Sequence, residues 1–325
     1  MRIQLFTIYA SAVGIWQAAA QDSRPHPRLS AACMEFNQRI VDKLASGQLA
    51  EAEAALSGPE IRNESDLCIW TTLHNRVNMM VLSGRLIEAE ALGEQSLRIL
   101  DKLVSPNDPI RFRPLQMLWS AQIQQGKLGK ARQTFQSMRT LRLDKPRDRA
   151  MFYGAAAMQL YGEGRYKEAE QEYFQALAAG KEAGRGETPE MATLLVGLGK
   201  VQSVQDRYSD AGKTLDRAFA IVNSAKDTIP MDFVNILSVR AALHVRLGRW
   251  QMAEEDLKLA IAIVDRDMRL DTNSLKALLV NYGYILRKIG RTKEARSIEA
   301  RAQAIQTPGW KNAIVDVTEL VSKKR

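Results

Sequence analysis

Seven times along this chain an alanine stands five residues after a turn position. The turn residues are Gly47, Gly84, Gly126, Gly164, Asp206, Gly248 and Gly290, at gaps of 37, 42, 38, 42, 42 and 42 residues. The alanines are Ala52, Ala89, Ala131, Ala169, Ala211, Ala253 and Ala295. Two after the turn stand Leu49, Leu86, Leu128, Tyr166, Tyr208 and Trp250, with Thr292 as the departure. In the last four units a second small residue follows twelve after it: Ala176, Ala218, Ala260 and Ala302.

Upstream, eleven before the turn, are Phe36, Leu73, Leu115, Tyr153, Leu195, Leu237 and Leu279; seven before it are Ile40, Val77, Trp119, Ala157, Gly199, Ala241 and Gly283. Residues four apart lie above one another on a helix face, so each unit carries an apolar stripe on either side of its turn. The pattern predicts two antiparallel helices per unit, A and B, joined where glycine adopts positive φ. Small residues let the helix axes approach. A lone pair cannot bury its own stripe, so stacking seven pairs is expected to make one core over 29–305.

Helix starts agree. Thr188-Pro189-Glu190 sets an N-cap, a first-turn proline and a carboxylate at the dipole in order. Asp108-Pro109 repeats that arrangement, and Pro146 and Pro230 hold the equivalent place. Pro114 falls inside the third A helix and is expected to shorten or kink it.

The small-residue and aromatic positions resemble the tetratricopeptide repeat (TPR). The 42-residue spacing is similar to the longer-linked form in kinesin light chains rather than the usual repeat of about 34. Bacterial extracytoplasmic TPR proteins look nearest in kind. The resemblance implies an all-α fold, a right-handed TPR-type superhelical solenoid of about seven antiparallel helix pairs with A helices on the concave side. It also implies a non-enzymatic scaffold that takes a protein or peptide there. Two features depart from it: Gln122, Gln202 and His244 stand where the family's usual tyrosine would be, and the regular asparagines of kinesin light chains are missing.

Before the repeats, Met1-Arg2, an apolar stretch and Ala18-x-Ala20 have the layout of a secretory signal peptide over 1–20, cleaved after Ala20. An uncleaved anchor is the other reading of that segment. Residues 21–28 read as a flexible lead, and 306–325 as a tail that either caps the last repeat or stays disordered. Export places the mature chain in the periplasm or outside the cell, where Cys33 and Cys68 are expected to form a disulfide; two separate buried thiols are the alternative.

Chemistry is sparse. His26, His74 and His244 form no metal spacing, and no nucleophile elbow, phosphate loop or dinucleotide fingerprint appears. Neither a cofactor nor a metal is expected. Glu-Ala-Glu pairs such as Glu168/Glu170 point in different directions and read as first-turn dipole partners. The net charge is +9, and residues 127–149 are the most basic stretch. That stretch is a candidate for peripheral contact with anionic lipid or an acidic partner; no interleaved aromatics support nucleic acid.

The candidate binding groove is the concave face, at positions 13, 10, 6 and 3 before each turn and just beside them. There stand Asn78, Lys200, Asn235, Ser238, Arg246, Tyr284, Arg287 and Lys288, with a softer set of Met151, Met158 and Tyr161. Cations and hydrogen-bonding groups along a groove suit an extended peptide or its terminal carboxylate; a solvated polar face is the plain alternative. Self-association through the end repeats or the tail is a further reading, and an unrecognised enzymatic site a remoter one.

Overall fold

The computed structural model describes residues 29–45, 48–57, 65–82, 85–225, 230–266 and 272–305. These form fourteen α-helices and one short 3-10 turn, with no strand among the described residues. In chain order the A and B helices alternate: α1 (Ala31–Ala45), α2 (Leu49–Leu56), α3 (Asp66–Leu82), α4 (Leu86–Leu103), α5 (Phe112–Gln124), α6 (Leu128–Arg139) and α7 (Pro146–Gly162). There follow α8 (Tyr166–Glu182), α9 (Pro189–Val204), α10 (Tyr208–Ser224), α11 (Pro230–Arg246), α12 (Trp250–Arg266), α13 (Thr272–Lys288) and α14 (Thr292–Ala304). The signal segment, the lead, Gly47, Gly84 and the tail lie outside the described residues.

The chain divides into two compact units, Met1–Asp148 and Arg149–Arg325. In the first, Phe36, Ile40 and Leu44 of α1 meet Ala52 and Leu56 of α2 and Val77 and Met80 of α3. In the second, one apolar cluster hands over to the next through shared residues. Leu177 touches the cores of both the fourth and fifth repeats, and Phe219 and Phe233 those of the fifth and sixth.

Every repeat opens its B helix on the residue two after the turn. At the turn itself Gly126, Gly164, Gly248 and Gly290 have φ between 70° and 80°, and Asp206 has φ 59°. The following N–H donates back five residues, as from Arg165 to the Leu160 carbonyl (2.9 Å) and from Arg207 to that of Gln202 (2.9 Å). This closure satisfies the last carbonyls of helix A and aims helix B back along it. The alanines five after the turn have no exposed surface in any of the seven repeats.

At the helix starts, Pro146, Pro189 and Pro230 are the first residues of their helices. Thr188 has cap geometry, but its hydroxyl makes no capping bond. Asp108 does cap, accepting from Ile110 N at 2.9 Å, yet what it opens is the 3-10 turn Pro109–Arg111. Helix α5 therefore begins late, at Phe112, and is 13 residues long against 17 in α3 or α7. Pro114 then lies in its first turn, where a missing N–H costs nothing.

The repeated "GR…E-A-E" turns out to be a clasp between repeats. In the second, fifth and seventh repeats the arginine after the turn reaches two carboxylates: one three residues on in its own helix, the other in the B helix before. Arg207 holds Asp210 (2.9 Å) and Glu170 (2.6 Å), and Arg291 bonds Glu294 and also Glu254 at 2.5 Å. Arg85 likewise joins Glu88 (2.6 Å) to Glu53. Glu90 is clasped by Lys127 and by Lys130 (2.8 Å), with Gln125 donating at 3.0 Å. Burial, the largest influence, pushes the Glu90 and Glu254 carboxyls up, but hydrogen bonds together outweigh it and hold both below the ordinary range; for Glu254 the stronger of these comes from Lys258 in its own helix (2.6 Å), with Arg291 adding to it.

A disulfide joins Cys33 of α1 to Cys68 of α3, with Cα atoms 5.9 Å apart and both residues buried. Beside it Asn37 donates to the Cys33 carbonyl (3.0 Å) and accepts from Asn75 (2.8 Å). Closing a loop of this length stabilises by about 3–4 kcal/mol on the chain-entropy relation.

Two outcomes are expected. The double substitution of Cys33 and Cys68 by alanine lowers the urea-derived stability of the first unit by about 3–4 kcal/mol, and an unchanged midpoint would contradict the clamp. For the clasp, a depressed carboxyl contributes stability that is present above its unfolded pKa of about 4.3 and lost as pH falls through the folded value. Glu254→Gln is thus expected to cost about 1.5 kcal/mol at pH 7 and to flatten the acid limb of a melting-temperature profile below pH 5.

Candidate functional site

The A helices provide the candidate surface. Successive ones pack directly on each other, α1 on α3, α3 on α5 and α9 on α11, and no two successive B helices pack so extensively among the described residues. Helices α7, α9 and α11 of the second unit bring three of the sequence-derived positions into relation. Tyr161, near the end of α7, and Arg246, at the end of α11, interact electrostatically across the intervening α9. Burial raises the Tyr161 hydroxyl first, the neighbouring Tyr166 adds to this, and Arg246 opposes both. The two tyrosine rings are 5.5 Å apart.

Lys200 stands on α9, six residues before its turn. It is half-buried, and among the described residues no carboxylate or hydrogen-bond partner compensates it. Burial alone pushes its ammonium down to about 8. Arg246 is also poorly compensated. Its side chain is 13% exposed, its carboxylate neighbour Asp206 lies 3.9 Å away, and its Nε has no partner. By contrast, the cations of the turn clasps, such as Arg207 and Arg291, are held by two carboxylates each.

The remaining groove candidates divide by what their neighbours do. Asn235 is half-buried on α11, and Lys288 lies 5.4 Å over the Tyr284 ring on α13. Arg287 is committed to Glu299 of α14 by two bonds of 2.6 and 2.5 Å. Ser238 is buried and donates to the Val234 carbonyl at 2.6 Å. Asn78 belongs to the first unit and is 1% exposed, with neither side-chain atom bonded. It lies on a helix whose polar residues Thr72, His74 and Asn75 are also buried; burial, with Arg113 adding to it, takes His74 down to about 3. In the softer set Met158 is exposed, and Met151 and Tyr161 are half-buried.

In the basic stretch much of the charge is already answered: Lys127 and Lys130 by Glu90, Arg142 by Asp144 at 3.8 Å, Arg149 by Glu182 at 2.7 Å. Among the described residues no helix is long and apolar enough to cross a membrane, and no cluster of His, Cys, Asp and Glu has the proximity to hold a metal ion.

No protein-family model matches the chain, and no curated protein sequence does. Solved structures do resemble it. The apo form of RapI has a TM-score of 0.62 at 13% identity, over 84% of this chain and 97% of that one. A Rap protein complexed with competence and sporulation factor gives 0.61 at 14% identity, over 99% of each chain. A tetratricopeptide repeat protein from Parabacteroides merdae gives 0.55 at 17% identity, over 90% of this chain and 98% of that one. Helix pairs, turn geometry and these likenesses define the class by fold: the chain folds as TPR-type helical repeats.

Lys200 gives a pH test whose sign is fixed. A lysine with a lowered folded pKa leaves the unfolded chain binding more protons between about pH 8 and 10.4, so stability rises with pH in that window. Lys200→Met is expected to raise the melting temperature at pH 7 and to remove that rise. A variant with the same alkaline profile as the parent would show that Lys200 is solvated.

Proposed function

We propose that this protein is an exported, non-enzymatic TPR adaptor that captures a peptide or protein partner on the A-helix face of its second unit. The observation that carries this reading is the pair Lys200 and Arg246, cations kept half-buried without adequate counter-charge. An uncompensated buried ammonium destabilises the free protein, and a bound carboxylate would relieve that cost. The chemistry favours an acidic segment or terminal carboxylate, with Tyr161 and Asn235 as hydrogen-bonding neighbours and Tyr284 and Lys288 extending the surface.

Export is supported by the apolar, Ala-x-Ala-terminated segment 1–20 and by a disulfide of the kind that persists in oxidising compartments. The Rap structure in complex with competence and sporulation factor is an instance of this architecture with a bound factor.

The test is affinity capture from the envelope fraction of the native host with the parent and the Lys200→Ala/Arg246→Ala variant. Two charge-assisted bonds at about 1.5–3 kcal/mol each are expected to reduce retention of the partner by at least tenfold, with melting temperature unchanged or higher. Equal retention by both proteins would remove the A-helix face from consideration.

A further inference from the structure

The B side of the second unit carries a feature that the A-helix reading does not use. Between α8 and α10, over α9, lies an open channel of about 720 Å³. Met191, Leu195 and Leu198 of α9 form its floor, and Phe174 and Leu177 of α8 one wall. Phe174 is 50% exposed, a large apolar ring at the rim.

The next repeat acts as an internal control, because side chains bridge the equivalent place between its helices. Forty-two residues on, Phe233, Arg240 and Asp256 replace Met191, Leu198 and Thr214, and Phe219 replaces Leu177. The Arg240 guanidinium stacks over Phe219 at 4.6 Å and bonds Asp256 at 2.5 and 3.2 Å, while Phe233 meets the Phe219 edge with centroids 5.9 Å apart. One repeat earlier, Leu198 is too short to make that bridge, and Thr214 instead donates to Gln202 at 2.8 Å. The opening follows from these substitutions.

Its chemistry selects an occupant. Three helices, whose backbone groups are already paired, make most of the lining, with Gly186 and Glu187 of the α8–α9 loop at one end, and Gln202 and Thr214 bond each other. An extended peptide would find few partners for its own N–H and C=O groups, whereas a helix brings its backbone satisfied. The floor from Met191 to Gln202 is about 16 Å long at 1.5 Å per residue, or three turns. The rim is cationic: Lys181 and Lys213 have no carboxylate partner among the described residues, and Arg217 holds only the exposed Glu187 at 2.9 Å. We infer that this channel is a docking site for an acidic amphipathic helix of a partner protein, its apolar stripe on Phe174 and Leu177 above the floor of Leu195 and Leu198, and its carboxylates against Lys181, Lys213 and Arg217.

The probe is a fluorescein-labelled 16-residue helix with leucine on one stripe and glutamate elsewhere, titrated with the full chain by anisotropy; a lysine-for-glutamate version is the control. Saturable binding of the acidic helix is expected, with the basic helix at least about tenfold weaker. The Leu198→Arg/Thr214→Asp variant transplants the neighbouring repeat's ion pair and is expected to weaken binding about tenfold or more while keeping the parental circular dichroism. Should that variant misfold, Lys213→Glu reads the same interaction from the rim and is expected to weaken binding severalfold. Lys200→Ala is expected to leave this binding unchanged, which separates the channel from the A-helix site. Equal affinity for both helices, undiminished binding by the double variant together with Lys213→Glu, or displacement by submicellar dodecanoate in place of helix binding would overturn the inference. So would a dimer, seen by light scattering, that the double variant dissociates, since a second copy would then be the occupant.

Discussion

Close approach of two helices at a methyl group is the constraint from which the rest of this structure follows. The seven alanines after the turns are sealed from solvent, and glycines seven before the turn extend the same contact. A Cβ at Gly199 would come within 2.8 Å of the Leu215 side chain, and one at Gly283 within 2.9 Å of Glu299. With the pair drawn together, each repeat is left with two flanking stripes that only its neighbours cover. Stacking is then driven by apolar burial, and the charged clasps at the turns fix the register in which neighbours meet.

The clasps also make the interior of the chain uneven. Glu53, Glu90, Glu170 and Glu254 each receive a cation from the following repeat. The equivalent positions after the third and fifth turns are Arg132 and Gly212, which have no carboxylate to give to Arg165 and Arg249. Arg165 turns instead to Glu163 and Glu168 within its own repeat.

Much of this was legible in the sequence because it depends on residues close along the chain. The turn, the small position five beyond it and the first-turn prolines are local signals, and Pro114 marks in the sequence the A helix that is short. The candidate site was less legible, since a position count along helix A does not reveal what covers it. Asn78 and Ser238 have the right spacing but are buried, and Arg287 is taken by a glutamate twelve residues later. The uncompensated state of Lys200 is equally invisible, being a statement about which carboxylates fail to reach it. The B-side channel is the extreme case: Leu198 and Thr214 are ordinary helix residues, and only comparison with Arg240 and Asp256 shows what is missing. The clasp lay between these limits. Its residues recur visibly, but the partner of each glutamate sits about 37 residues away, in the next repeat.

The tightness of the inter-helix contact is the claim that everything else rests on, and it is tested most directly by urea unfolding of Ala169→Leu and Ala211→Leu beside Ala220→Leu, an exposed alanine on the same helix as Ala211. Forcing three extra carbons into a closed contact is expected to cost about 1–3 kcal/mol or more, whereas the exposed substitution is expected to fall within about 0.5 kcal/mol of the parent. Equal stabilities for all three variants would mean that the helices are not held at methyl distance, and the account of how the repeats assemble would fail.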